Sequence, residues 1–205
     1  MEKVLLALVP CLLGAVYFFG WRSLALLVWT MGIGVATEYW MASRRGDPVT
    51  EACLVTSALL ALSLPPTTPF WIAGVGVIVA IFFGKEAFGG FGRNVFNPAI
   101  VGRGFVYVCF PIELTARFAP VYEGFPGGFV RWGARKTLDG IDALTVATPM
   151  LARDEYGHIT PLSDLVTGRI GEVLQTADGP TVLAAGSMGE VSAVLVLLGG
   201  AYRLW

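Results

Sequence analysis

Charge is what this sequence has least of. Asp, Glu, Lys and Arg together make up 14% of its 205 residues against 55% hydrophobic. With a mean hydropathy of +0.69, the chain lies outside the range of soluble domains and inside that of membrane proteins. Its 14 basic and 15 acidic residues form no long run of either sign, so neither a nucleic-acid footprint nor a polybasic lipid patch is present. Nucleic acid is therefore not an expected partner. Histidine occurs once, at His158, and Cys11, Cys53 and Cys109 each stand alone in apolar sequence. Without a C-x-x-C spacing or a second histidine, no disulfide framework, zinc site or paired-histidine haem is expected, and no metal site is assigned.

What the chain does have is apolar runs. Val4–Gly20 is long enough to cross most of a bilayer core of about 30 Å with help from its flanks, and no small-residue cleavage site follows it, so it reads as a retained first helix. Leu24–Met41 makes a second span, with Trp21 and Trp40 at interfacial positions and Glu38 expected at the interface. After the charged turn Ser43–Pro48, Ala52–Leu64 is 13 residues long. That is only about 20 Å of helix, ended by Pro65 and Pro66. Phe70–Gly84 makes a fourth span, closed by Lys85 and Glu86. Asn97 as N-cap and Pro98 as first helical residue predict a fifth helix, running to about Pro111 with Arg103 inside it. An arginine there needs a buried partner or a watery cavity. Two short spans beside Pro- and Gly-rich backbone fit either a site at membrane depth or ordinary short helices in a packed bundle.

Glu113–Ala185 is the one long polar stretch, with nine acidic and six basic residues. It reads as a mostly irregular loop domain with one short helix around Ser163–Leu174. Ala193–Trp205 is a sixth apolar stretch. The expected fold is an all-α, polytopic membrane protein of about six transmembrane helices, short broken ones included, with one long extracytoplasmic loop. Residues 1–112 hold helices one to five, 113–185 the loop, and 186–205 the start of helix six. Lys3, Arg44, Arg45, Lys85 and Arg93 fall on one side of the short connections and Arg22 on the other, which predicts a cytoplasmic N-terminus and an external loop.

Four stretches carry a family resemblance: Gly46–Thr50, Leu64–Pro69, Gly84–Ala99 and Gly186–Ser192. In this order they resemble signatures of the B subunit of the sodium-translocating NADH:quinone oxidoreductase and of its relative, the D subunit of the Rnf ferredoxin:NAD oxidoreductase. The resemblance implies a bacterial inner-membrane subunit built from two inverted repeats, of which this chain resembles about the first. It also implies FMN esterified to a threonine by a separate flavin transferase, at a motif D-x-x-[ST]-[small]-A-[TS]. Here the motif reads Asp142-Ala-Leu-Thr145-Val-Ala147-Thr148, with Thr148 as the acceptor and Val146 bulkier than the pattern's small residue. Riboflavin as a further cofactor, quinone, and other membrane and flavoprotein subunits are implied as well.

With no dinucleotide fingerprint or cysteine cluster in the chain, NADH oxidation and iron–sulfur chemistry are assigned to those partners. The chain is expected to work as a subunit and not alone. Glu86 is the first candidate for cation passage, weighed against an ion pair with Lys85 or Arg93, and Glu190 is a weaker one. Arg93 and Asn94, before the helix start at Asn97, could hold an anion such as a flavin phosphate or serve as a structural anchor. His158 reads as a loop residue, and Trp132 as a packing residue that could also stack on a flavin. The alternative from another class is a non-redox transporter or assembly subunit of the same fold without flavin.

Overall fold

Helix boundaries follow the punctuation of the sequence. The computed structural model describes residues 2–115, 118–122, 124–133, 145–170, 173–176, 179–184 and 186–204. Helix α1 (Glu2–Phe19) passes at Gly20, in the left-handed region at φ 87°, into α2 (Trp21–Arg45). The second helix ends at left-handed Gly46, where the Asp47 N–H donates to the Ala42 carbonyl at 3.0 Å, a glycine stop that satisfies one of the last carbonyls. Helix α3 (Ala52–Ser63) halts before the two prolines, and α4 (Phe70–Gly84) starts after Pro69 and runs on into a 3₁₀ turn, Glu86–Phe88. As predicted, Asn97 caps α5 (Pro98–Cys109), its side-chain oxygen accepting the Ala99 N–H at 3.0 Å.

Among the described residues, three segments are long and apolar enough to cross a membrane: Glu2–Phe19, Trp21–Arg45 and Phe70–Phe88. The third and fifth spans are short, at 12 residues each, or about 18 Å of helix.

The helices alternate in direction and bury a common core that includes Phe19, Leu26, Leu64, Ile72 and Val106. Helices α4 and α5 approach closely. A Cβ at Gly102 would lie 2.6 Å from the Gly76 carbonyl oxygen and 2.7 Å from the Ala80 Cβ. Backbones meet here because small residues face each other four apart, which gives dispersion contacts where lipid removes any hydrophobic drive between helices.

The polar stretch differs from its expected irregular form. It contains the short helices α6 (Pro111–Thr115), α7 (Pro149–Tyr156) and α8 (Leu162–Thr167), and the strands β1 (Thr145–Ala147), β2 (Val173–Thr176) and β3 (Gly179–Leu183). The strands form one sheet in the order β1-β3-β2, with β1 parallel and β2 antiparallel to β3. Strands of three to five residues show too little alternation to be read among so many glycines and prolines. The helix expected over Ser163–Leu174 ends at Thr167 because Gly168 turns left-handed at φ 84°, and Leu174 belongs to β2 instead. Ala152, Ile170 and Leu183 form a small core of their own for this segment. The chain then enters α9 (Ala193–Leu204), which packs along α1.

Backbone hydrogen bonds fasten the polar stretch to one end of the bundle. The first N–H groups of α2 have no partners within their helix. They donate to it instead, Trp21 to the Arg131 carbonyl at 3.1 Å and Arg22 to that of Trp132 at 2.6 Å. At the C-terminus of α3, the Leu62 and Leu64 carbonyls accept from Gly189 at 2.8 Å and Met188 at 3.1 Å. Gly189 is needed at that contact, since a Cβ there would lie 2.9 Å from that of Leu62. The Arg22 guanidinium ties in the turn between α3 and α4, donating to the Pro66 carbonyl and, at 2.8 Å, to that of Thr68. The turns following α2 and α4 meet at the opposite end.

Candidate functional site

Thr148 stands where β1 hands over to α7. The strand brings in Thr145, Val146 and Ala147, in register with Thr181, Val182 and Leu183 of β3. A β-branched residue at position 146 suits such a strand. The Thr148 carbonyl accepts the Ala152 N–H at 2.9 Å, and Pro149 opens the helix, so Thr148 occupies the N-cap position. Asp142, the first residue of the motif, lies outside the described residues.

Half-buried Thr148 lines a cavity of about 390 Å³. Its walls include apolar side chains such as Leu114, Phe118 and Met150, with Arg103 and Tyr107 from α5, and Ser187 and Glu190 from the glycine-rich signature before α9. The Glu190 carboxylate accepts the Ser187 N–H at 3.3 Å. This is the make-up of a small-molecule site, largely apolar with a few convergent polar groups, and its volume is in the usual range. An acceptor hydroxyl, a guanidinium and an aromatic ring on one such cavity fit the phosphate and ring of an FMN. Sequence alone does not assign Arg103 and Tyr107 to this site; their spacing of four, which puts both on one helix face, is the available signal.

The other candidates gather at the opposite end, around a second cavity of about 370 Å³ lined by Glu38, Arg45, Thr50, Lys85, Glu86 and Arg93, among others. Glu38, toward the end of α2, is 1% exposed. One of its oxygens accepts from the Thr50 N–H and hydroxyl, both at 2.7 Å, and the other from Lys85 Nζ at 2.5 Å. Lys85 also donates to the Thr50 hydroxyl at 2.6 Å. A carboxylate this deep needs such partners, because an unpaired buried charge is costly.

Glu86 is likewise buried and forms ion pairs with Arg45 and, at 3.9 Å, with Lys85 Nζ, the latter one of the two partners expected for it. Arg93 is exposed at the rim, and Asn94 turns onto its own loop, donating to the Phe96 carbonyl at 3.0 Å. The fold therefore brings Thr148 together with Glu190, and Glu86 with Arg93, but separates these two groups by the length of the bundle.

Three proteins of similar sequence are each the D subunit of an ion-, Na(+)- or proton-translocating oxidoreductase complex. The chain is 36% identical over its whole length to the D subunit of the ion-translocating oxidoreductase complex of Stutzerimonas stutzeri, covering 59% of that protein. It is 33% identical, again over its whole length, to the D subunit of the Na(+)-translocating ferredoxin:NAD(+) oxidoreductase complex of Acetobacterium woodii, covering 57%. Against the D subunit of the proton-translocating ferredoxin:NAD(+) oxidoreductase complex of Clostridium ljungdahlii the identity is 30%, over 57% of that protein. The chain thus spans a little over half the length of these relatives. All of residues 1–205 match one family model, and the chain belongs to the NQR2, RnfD, RnfE family.

Proposed function

We propose that this chain forms part of a membrane subunit of a cation-translocating, flavin-dependent electron-transfer complex, of the Rnf or NADH:quinone oxidoreductase type, and carries FMN covalently on Thr148. The observation that carries this reading is that the motif's acceptor threonine lines a cavity with a cation and aromatic rings on its walls. Its N-cap position adds to the fit. A phosphoester there would place negative charge at the positive end of α7, where helix N-termini favour anions. Thr145 and Ala147 hold the acceptor in place through β1, and Arg103 and Tyr107 face it from α5. When bound, the flavin would supply one- and two-electron transfer.

At the other end, Glu86 is the candidate on the cation route. Arg45 and Lys85 neutralise it, so a passing ion would have to compete with two fixed cations for the carboxylate. Glu190 stands at the flavin end, where it would bear on cation exit. Arg93 and Asn94 lie too far from Thr148 to hold its phosphate and are better suited to a separate anion.

In this reading the N-terminus is cytoplasmic and the stretch 113–185 external, in a bacterial inner membrane. Its support is that Lys85, Arg44, Arg45 and Arg93 collect at the end away from the polar stretch, as the positive-inside rule expects. Other membrane and flavoprotein subunits, a flavin transferase, quinone and riboflavin are the partners and cofactors this function requires. The test is co-production with a flavin transferase, followed by denaturing electrophoresis. A fluorescent band that survives denaturation and is lost in Thr148→Ala is expected. A band with no flavin under those conditions favours the transporter or assembly role instead.

A further inference from the structure

Arg103 is the sole charged residue of α5, whose other members from Pro98 to Cys109 are apolar or small. An ionised group in such a helix is costly unless it faces a partner or a wet cavity. Arg22 lies at the same end of the bundle. Arg22 donates to two backbone carbonyls and lies 5.1 Å from the centroid of the Phe70 ring. Arg103 has no hydrogen bond or ion pair among the described residues, and its side chain borders the cavity that Thr148 lines. Among the described residues the one carboxylate on that cavity, Glu190, is engaged with the Ser187 N–H. Tyr107 follows Arg103 by one helical turn on the same wall.

We infer that Arg103 holds the phosphate of the Thr148-linked flavin and that Tyr107 offers its ring an aromatic face; this rests on the proposed flavin attachment. A phosphoester on Thr148 keeps one negative charge, and Glu190 adds a second on the same cavity, so a cation is needed beside it. A guanidinium suits this task better than an ammonium because its fork of N–H groups matches two phosphate oxygens at once. Arg103 thereby gains the counter-charge its position demands, and the flavin gains a second point of attachment besides its ester.

The experiment uses the full chain produced with a flavin transferase and purified in detergent, with flavin loading read by mass spectrometry. Arg103 is then mapped by its reaction with phenylglyoxal, which modifies free guanidinium groups, in the loaded protein and in Thr148→Ala. Loaded protein is expected to react about tenfold more slowly at Arg103, the effect of one charge-assisted hydrogen bond lost on labelling. Arg103→Gln should still take up FMN but show lower flavin fluorescence anisotropy, with Arg103→Lys restoring part of it. Loaded Thr148 with equal labelling in both proteins overturns this inference alone. Protection that persists in Thr148→Ala and disappears in Glu190→Gln assigns Arg103 to the carboxylate and also overturns it. An unmodified Thr148 removes the attachment reading and this inference together.

Discussion

At the end of the bundle where the turns after α2 and α4 meet, Glu38, Lys85 and Glu86 are almost fully buried, and each has an oppositely charged partner. At the other end, Arg103 borders an open cavity with no such partner among the described residues. The first arrangement fixes structure, because its charges already satisfy one another and bind the turns together. The second leaves the guanidinium of Arg103 facing a cavity that Thr148 also lines. Buried charge marks the first end, and a charge without a protein partner on a cavity marks the other, where the proposed flavin site lies.

Substitutions can pull this contrast apart. Lys85→Met leaves Glu38 buried without its cation and should cost about 3–5 kcal/mol of stability, most of it recovered when Glu38→Gln is added. Thermal unfolding in detergent reads both. Additive losses in the double variant would show that the two side chains are not a pair. Thr50→Val keeps the shape but removes the hydroxyl between Glu38 and Lys85, for a loss of about 1–3 kcal/mol in the same assay. Asn97→Ala removes the cap of α5 and should cost about 1 kcal/mol. The smallest effect belongs to the opposite end. Arg103→Gln, with no protein partner to lose, should leave the stability of flavin-free protein within about 0.5 kcal/mol. A larger drop would mean that Arg103 supports the fold and that the two ends are alike after all.

How much of this can be read from sequence divides along local and distant relations. The start of α5 is legible because Asn97 and Pro98 act on the very turn they occupy. The shortness of the third and fifth spans is equally local, being written in the prolines after Leu64 and the glycine-rich loop before Asn97. The burial and pairing of Glu38 are not legible in the sequence because its partner Lys85 is 47 residues away, and no periodicity reports such a pairing. The sheet escapes notice for a related reason. Three residues of β1 form a strand only because β3, more than thirty positions on, lies beside them. The need of Arg103 for a partner or a cavity is plain from sequence, but which one it finds depends on how α5 meets the segment around Thr148.

The fold also changes how Val146 is understood. As a departure from the motif's small residue it raises the question of whether a transferase could reach the site. Within β1 it lies one strand position inside the sheet, while Thr148 is already past the strand, at the start of α7. The strand thus separates the motif's two hydroxyl-bearing residues, since Thr145 is paired in the sheet and Thr148 lines the cavity.

Peptide mapping of the transferase-treated protein by fragmentation mass spectrometry decides between these hydroxyls. A single FMN is expected, with fragment ions that place it on Thr148 and not on Thr145; FMN on Thr145, or none on the peptide at all, would contradict the assignment.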